Sequence, residues 1–195
     1  MRWVVFDYGE VISEPTGELP SLAALLGAPV EEFARGYWGA RDAYDRGQSD
    51  VDYWRAVGAA VGVPVDAALA ARLTEVDTRG WLRVDPAVVA LIEELAAGGV
   101  PLALLSNAPV SFARTAEREP WTRHFRHLVF SGDLGVAKPD PRIFTALAER
   151  IGVAPGDCVF FDDRQVNVDG AIAAGLSGVR WQGALHAREV LDLSA

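Results

Sequence analysis

The chain has 195 residues, 50% of them hydrophobic and 23% charged, with a net charge of −9 at neutral pH. That length suits one compact core with room for an insertion, and an acidic balance with no basic cluster argues against nucleic acid or anionic membranes as partners. Cys158 is the single cysteine, so no internal disulfide forms and a reducing cytoplasm fits; residues 1–6 lack the apolar length of a signal peptide, and no segment reaches the roughly 18 apolar residues of a membrane span.

Trp3–Phe6 reads as a short strand that ends on Asp7. Residues 14–20, with two prolines and a glycine, read as irregular. From Ser21 to about Leu82 the spacing turns helical: Leu22, Leu25 and Leu26 share a face, and Phe33, Tyr37, Trp38 and Tyr44 recur at helical intervals. A helix runs from Val51 to Val61 with Ser49 or Asp50 as its N-cap, and another spans Val65–Val76.

After Asp85-Pro86 the rhythm changes. Helices are expected at Pro86–Ala97, Ser111–Arg118, Pro141–Ile151 and Val166–Ala174, and strands at Val100–Leu105, His127–Phe130, Cys158–Phe161 and Gly178–Trp181. Alternating strands and helices imply an α/β fold: a Rossmann-like parallel sheet with helices on both faces. Residues 14–82 are then an inserted all-helical block, and residues 1–13 and 83–195 form the core.

In open parallel sheets, ligands bind beyond the carboxyl ends of the strands. Asp7, Ser106-Asn107, Ser131-Gly132-Asp133 and Asp162-Asp163 each follow an apolar run, so the topology gathers them at one edge. Three carboxylates that close repel unless a cation intervenes, and hard oxygen donors without His or Cys favour Mg²⁺. Ser106 and Asn107 supply hydroxyl and amide donors, with backbone N–H groups expected at a helix start, a geometry that holds an anion, and Lys138 adds positive charge. A carboxylate nucleophile, Mg²⁺, a lysine and amide donors describe phosphoryl transfer through an aspartyl-phosphate.

Four segments, FDYGEVI, LLSN, SGDLGVAKPDPRIF and VFFDDRQVNVDGA, resemble the haloacid dehalogenase-like (HAD) hydrolase superfamily, in that family's order from Trp3 to about Ala174. The helical block is placed like the family's subfamily I cap. The likeness is nearest to the phosphatases with a Phe-Asp-x-Gly-x-Val opening, which include sugar-phosphate phosphatases. The resemblance implies that Asp7 is nucleophile and Mg²⁺ ligand, and that Ser106 and Asn107 hold the phosphoryl oxygens. It also implies that Lys138 balances charge, that Asp163, or Asp162 through water, binds Mg²⁺, and that Gly9 offers a backbone carbonyl to the metal. Asn167 stands where many relatives carry an acid that orients the loop.

One position departs from the pattern. Most phosphatases of the family carry a second Asp two residues after the nucleophile, where this chain has Gly9, and glycine carries no proton. Glu10 is adjacent, but neighbours on an extended chain point apart, so it is at most a support. The resulting expectation is a Mg²⁺-dependent hydrolase of small phosphomonoesters, with sugar phosphates as one class. The alternatives are a metal-free 2-haloacid dehalogenase, disfavoured by the acidic pair, and a weak or inactive protein that binds a phosphorylated metabolite, suggested by Gly9.

Tyr37, Trp38, Tyr44, Trp54 and Trp81 read mainly as helix-packing residues, and any left exposed would offer a homodimer face. Arg41 lies at helical spacing from Trp38 and Tyr44, which would let it contact a polar part of a substrate, but it reads first as a surface salt-bridge residue. His124, His127 and His186 show no zinc spacing, and Cys158 reads as buried packing.

Overall fold

The computed structural model of the chain describes residues 2–193. Five strands form one parallel sheet in the order β3-β2-β1-β4-β5. They are β1 (Trp3–Phe6), β2 (Leu102–Ser106), β3 (His127–Phe130), β4 (Cys158–Asp162) and β5 (Ser177–Arg180). Val4 pairs with Leu102 on one side and Val159 on the other, so β1 is central. The inner strands β1, β2 and β4 are buried along their whole length, which explains their continuous apolar runs.

Helices cover both faces. Val4, Phe6, Leu102, Leu104 and Phe161 point to one core with α6 (Pro86–Ala97) and α7 (Val110–Ala116). Val5, Ala103, Leu105 and Phe160 alternate to the other, against α9 (Pro141–Ile151) and α10 (Gln165–Ala173). β2 begins at Leu102 rather than Val100, because Val100 still bonds back to Leu95 at the end of α6. Two elements escape the periodicity altogether: the single turn α8 (Ser131–Leu134) and the last helix, α11 (Ala184–Val190). Both are too short to show a pattern.

Between β1 and α6 lie five helices: α1 (Leu19–Leu25), α2 (Val30–Gly39), α3 (Arg41–Asp45), α4 (Asp50–Ala60) and α5 (Ala67–Trp81). α1 starts inside the stretch expected to be irregular, since Pro20 sits in its first turn, where proline is tolerated. Ser49 caps α4 by accepting from the Asp52 N–H, and Asp66 caps α5. This block has its own apolar centre, with Leu22, Phe33, Tyr37, Tyr53, Trp54 and Leu73 fully buried. Tyr44 and Tyr53 stack with ring centroids 3.9 Å apart.

The strands into and out of the block are tied together. Ser13 and Val84 form an antiparallel bridge, the Glu14 N–H donates to the Arg83 carbonyl, and the Asp85 N–H donates to the Ile12 carbonyl, each at 2.9 Å. The helical block therefore hangs from a narrow two-stranded neck above the carboxyl edge of the sheet. Among the described residues, no helix is long and apolar enough to cross a membrane.

Candidate active site

The strand order reverses around β1, so the crevice beside β1 and β4 is the topological switch point. Asp7 follows β1 directly and Asp162 is the last residue of β4. Their carboxylates lie on either side of the Lys138 ammonium, 2.6 Å from Asp7 and 2.7 Å from Asp162. Lys138 also donates to the Leu105 carbonyl at 2.9 Å, and all three side chains are buried.

Each partner is fixed in turn. Asp7 Oδ1 accepts from the Tyr8 N–H at 2.7 Å. Asp162 Oδ1 accepts from the Arg164 N–H at 2.8 Å, and Asn167 Nδ2 donates to both Asp162 oxygens at 3.0 and 3.1 Å. The Asn107 side chain clamps the Lys138 backbone, donating from Nδ2 to its carbonyl at 2.9 Å and accepting from its N–H at 2.8 Å. The Asn107 side-chain amide is therefore committed to positioning Lys138, and Ser106 and Asn107 both line the cavity. Nor do these two residues open a helix: Ala108 and Pro109 separate them from α7.

Electrostatics follow from this packing. Burial pushes the Asp7 carboxyl up to about 8, with Lys138 pulling it down and Asp162 adding to the rise. Burial works to lower the Lys138 ammonium, but Asp7 and Asp162 together leave it above its usual value. Asp163, half-buried, is raised by burial, then by Asp162 and Glu10. Glu10 adopts φ +56°, a left-handed backbone that costs a residue with a side chain about 1–2 kcal/mol. It occupies the tight turn in which the Ile12 and Ser13 N–H groups return to the Tyr8 carbonyl.

A metal can be tested against these residues. One oxygen from each of Asp7, Asp162 and Asp163 lies within 4.8 Å of the others, the one such acidic group found among the described residues. Ionised together, the three carboxylates carry two negative charges more than the Lys138 ammonium offsets, the charge of one divalent cation. The donors are all hard oxygens, which suits Mg²⁺. Asp162 is saturated by four hydrogen bonds, whereas Asp163 lines the cavity; the direct contacts would come from Asp7, Asp163 and the Gly9 backbone, with Asp162 acting through water. Asn167 Oδ1 is buried and finds no partner among the described residues, a further polar atom facing this region.

The cavity has a second wall made by the helical block, with Trp38, Arg41, Asp45 and Trp81. Arg41 is not the surface salt-bridge residue its sequence context suggests. Its guanidinium is buried against Tyr37, Tyr44 and Trp81 and paired with Asp45 and Asp77. Asp45, Asp77, Phe112 and Arg164 were not legible as part of this region. The Arg41–Asp45 spacing of four residues was the one available signal. Tyr37, Tyr44 and Trp54 are fully buried packing residues as expected, so the aromatics of the block leave only Trp38 substantially exposed, and it borders the cavity.

A family model for haloacid dehalogenase-like hydrolases matches residues 1–175. Phosphoglycolate phosphatase of Escherichia coli is 32% identical over 110 residues, 56% of this chain and 44% of that protein. The chain spans about half the length of the curated relatives it matches. Among solved structures, a HAD family enzyme of Bacteroides thetaiotaomicron, in complex with magnesium and inorganic phosphate, superposes with a TM-score of 0.72 at 17% identity, covering 94% of this chain and 95% of that one. L-2-haloacid dehalogenase from Xanthobacter autotrophicus gives 0.70 at 21% identity, covering 100% and 84%. At these identities the structural likeness speaks for the fold. With a family model matching residues 1–175, a span that holds β1 to β4 and every residue lining the cavity, the chain belongs to the haloacid dehalogenase-like hydrolase family.

Proposed function

We propose that the protein is a Mg²⁺-dependent hydrolase of small phosphomonoesters working through an aspartyl-phosphate. The observation that carries this reading is the meeting of Asp7, Asp162 and Asp163 around one buried lysine at the sheet edge. The magnesium and phosphate complex of the Bacteroides relative and the phosphatase name of the Escherichia relative support it.

The Asp7 carboxylate forms a bond to phosphorus as the ester P–O bond breaks, and the departing oxygen takes a proton from solvent that the attacking water of the next step gives back. Water then attacks phosphorus, releasing phosphate and restoring Asp7. Lys138 and Ser106 carry the charge on the phosphoryl oxygens, and Asn107 holds Lys138 in place. Magnesium, when bound, supplies further neutralisation of carboxylate and phosphate. The helical block serves as a cap that shields the reaction from bulk water.

Gly9 favours a second reading, a protein that binds a phosphorylated metabolite and turns it over slowly or not at all, since no carboxylate stands two residues after Asp7. One experiment separates the readings. Phosphate release from p-nitrophenyl phosphate is expected with Mg²⁺, absent in EDTA and abolished in Asp7→Asn. Binding of inorganic phosphate without turnover supports the second reading, and halide release from a 2-haloacid in EDTA defeats both.

A further inference from the structure

The wall supplied by the helical block has a definite charge pattern. Arg41 Nε donates to Asp45 at 2.9 Å, and Nη1 donates to the Tyr37 hydroxyl at 2.7 Å and lies 3.5 Å from Asp77. Its guanidinium carbon sits 5.5, 5.6 and 5.8 Å from the ring centroids of Tyr37, Tyr44 and Trp81. Stacked and paired in this way, the guanidinium cannot swing toward a new anion. None of these bonds uses Nη2.

One guanidinium thus faces two carboxylates. Burial raises both Asp45 and Asp77, yet even with a proton on Asp77 this wall holds no positive excess. On the opposite rim, Arg164 and Glu10 add one charge of each sign beside Asp163. A carboxylate or second phosphate on the leaving group would meet Asp45 on this wall, and the rim cation, Arg164, stands beside two acids, Asp163 and Glu10. An uncharged hydroxyl meets a carboxylate acceptor in Asp45 and a guanidinium donor in Arg41.

The same wall has an apolar part. Trp38 and Trp81 stand edge to face, 6.3 Å apart at 83°, and Trp38 is 48% exposed. At that angle the two rings do not form one surface; the exposed Trp38 offers a face to the apolar side of a ring, with Trp81 set across it.

The wall is held in register with the phosphoryl end. The Ser131 hydroxyl donates to the Asp45 carbonyl, and the Tyr44 and Ser111 hydroxyls lie 3.0 Å apart. A Cβ on Gly47 would come within 2.8 Å of the Gly132 carbonyl oxygen, so α3 is pressed against the core loop that follows β3. Ser131 also accepts from the Ala108 N–H, two residues beyond Ser106.

We propose that this wall selects the leaving group: the site takes monoesters of uncharged, hydroxyl-bearing ring alcohols and rejects esters whose leaving group carries a carboxylate or a second phosphate. Asp45 and Arg41 read the hydroxyls, and Trp38 stacks on the ring with Trp81 bounding it from the side. This rests on the phosphomonoester reading above and adds a selectivity opposite to that of the phosphoglycolate-cleaving relative's name.

The test compares kcat/KM with Mg²⁺ for a hexose phosphate, phosphoglycolate and p-nitrophenyl phosphate. The hexose phosphate is expected to exceed phosphoglycolate by about tenfold or more, as a hydrogen-bonding site allows. Asp45→Asn, which removes the charge and keeps an acceptor, should narrow that ratio by about threefold or more. Trp38→Ala removes an exposed side chain and carries the test if Asp45→Asn does not fold; it should raise KM for the hexose phosphate more than for phosphoglycolate. Equal or better turnover of phosphoglycolate by the wild type, or a ratio unmoved in the folded variants, overturns the inference and leaves the phosphatase reading standing. No phosphate release from any of the three esters overturns that reading and the inference with it.

Discussion

Two buried cations face each other across the cavity, each between two carboxylates, and they differ in what they leave available. Lys138 is a point charge between Asp7 and Asp162 at 2.6 and 2.7 Å, anchored on strand ends of the core. Arg41 is a planar group between Asp45 and Asp77 at 2.9 and 3.5 Å, anchored on helices and ringed by aromatic faces. The lysine cluster has a third carboxylate within reach, Asp163, and so keeps an anionic excess that a divalent ion can answer. The arginine cluster spends its charge internally and offers hydrogen bonds. The pairing of chemistry on one wall with selection on the other follows from that difference.

The sharpest way to break the comparison is to remove the nucleophile. Asp7→Asn keeps the shape and the Tyr8 contact but leaves a poor nucleophile, so phosphate release should fall by about 10⁴-fold or more. A residual rate near that of the wild type would place the chemistry elsewhere in the cavity.

Gly9 lies at the seam between the two walls. A Cβ there would meet only Trp81, at 3.9 Å, and its backbone φ is outside the left-handed region, so a side chain fits. Gly9→Asp puts a proton carrier where this chain lacks one, and turnover of esters with poor leaving groups should rise by about 10²-fold, the lower end for general acid–base help. An aryl phosphate, whose leaving group needs little protonation, should gain much less. A rise of equal size for both would show that the new carboxylate acts through the metal and not through the proton.

The walls also differ in how much of them the sequence announced. Asp7, Ser106 and Asp162 were legible because a strand end fixes where a residue goes: once the strands alternate with helices, topology alone brings their ends together, whereas Lys138, in the loop between α8 and α9, was marked by its charge and by the family resemblance. The roles inside that set were less legible. Asn107 reads as a phosphate donor, and the structure adds a part no motif announces: its amide clamps the Lys138 backbone, which depends on the path of a loop 31 residues away. The spacing of Arg41 to Trp38 and Tyr44 leaves a surface salt bridge and a substrate contact both open, because the cluster is assembled from three helices, and helical periodicity gives each helix a face without saying which neighbour meets it. Asp77 in particular sits in an otherwise ordinary amphipathic helix.

Swapping each cation for a neutral side chain tests whether the two clusters are equally structural. Lys138→Met strands two buried carboxylates and should cost about 3–5 kcal/mol of stability along with activity. Arg41→Met also strands two, but Asp77 keeps the Tyr37 hydroxyl at 2.7 Å and both acids are already raised toward their neutral forms. Its cost should be about 2 kcal/mol, with altered substrate preference rather than loss of turnover. Chemical denaturation of both variants checks this, and an Arg41 variant less stable than the Lys138 one would reverse the assignment of the walls.

The smallest effect is a pH dependence confined to the arginine cluster. Asp77 is held above the usual carboxylate range chiefly by burial, against the pull of Arg41 and the Tyr37 hydroxyl. Asp45 and the hydroxyls of Tyr37, Tyr44 and Tyr53 complete the titratable groups around it. A carboxyl raised in the folded state binds its proton more tightly there than in the unfolded chain. Its contribution is therefore fully present below the ordinary carboxylate value and is lost as pH rises through the folded one. Asp77→Asn cannot titrate, so its Tm relative to the wild type should climb between pH 4 and 7, by roughly 2–4 °C, the size of about 1 kcal/mol in a chain of this length. The comparison is best made in EDTA, where the acidic cluster around Lys138 changes both proteins alike. A difference in Tm that stays flat across that range would mean that Arg41 outweighs burial at Asp77, and that this wall is more anionic than the selectivity argument requires.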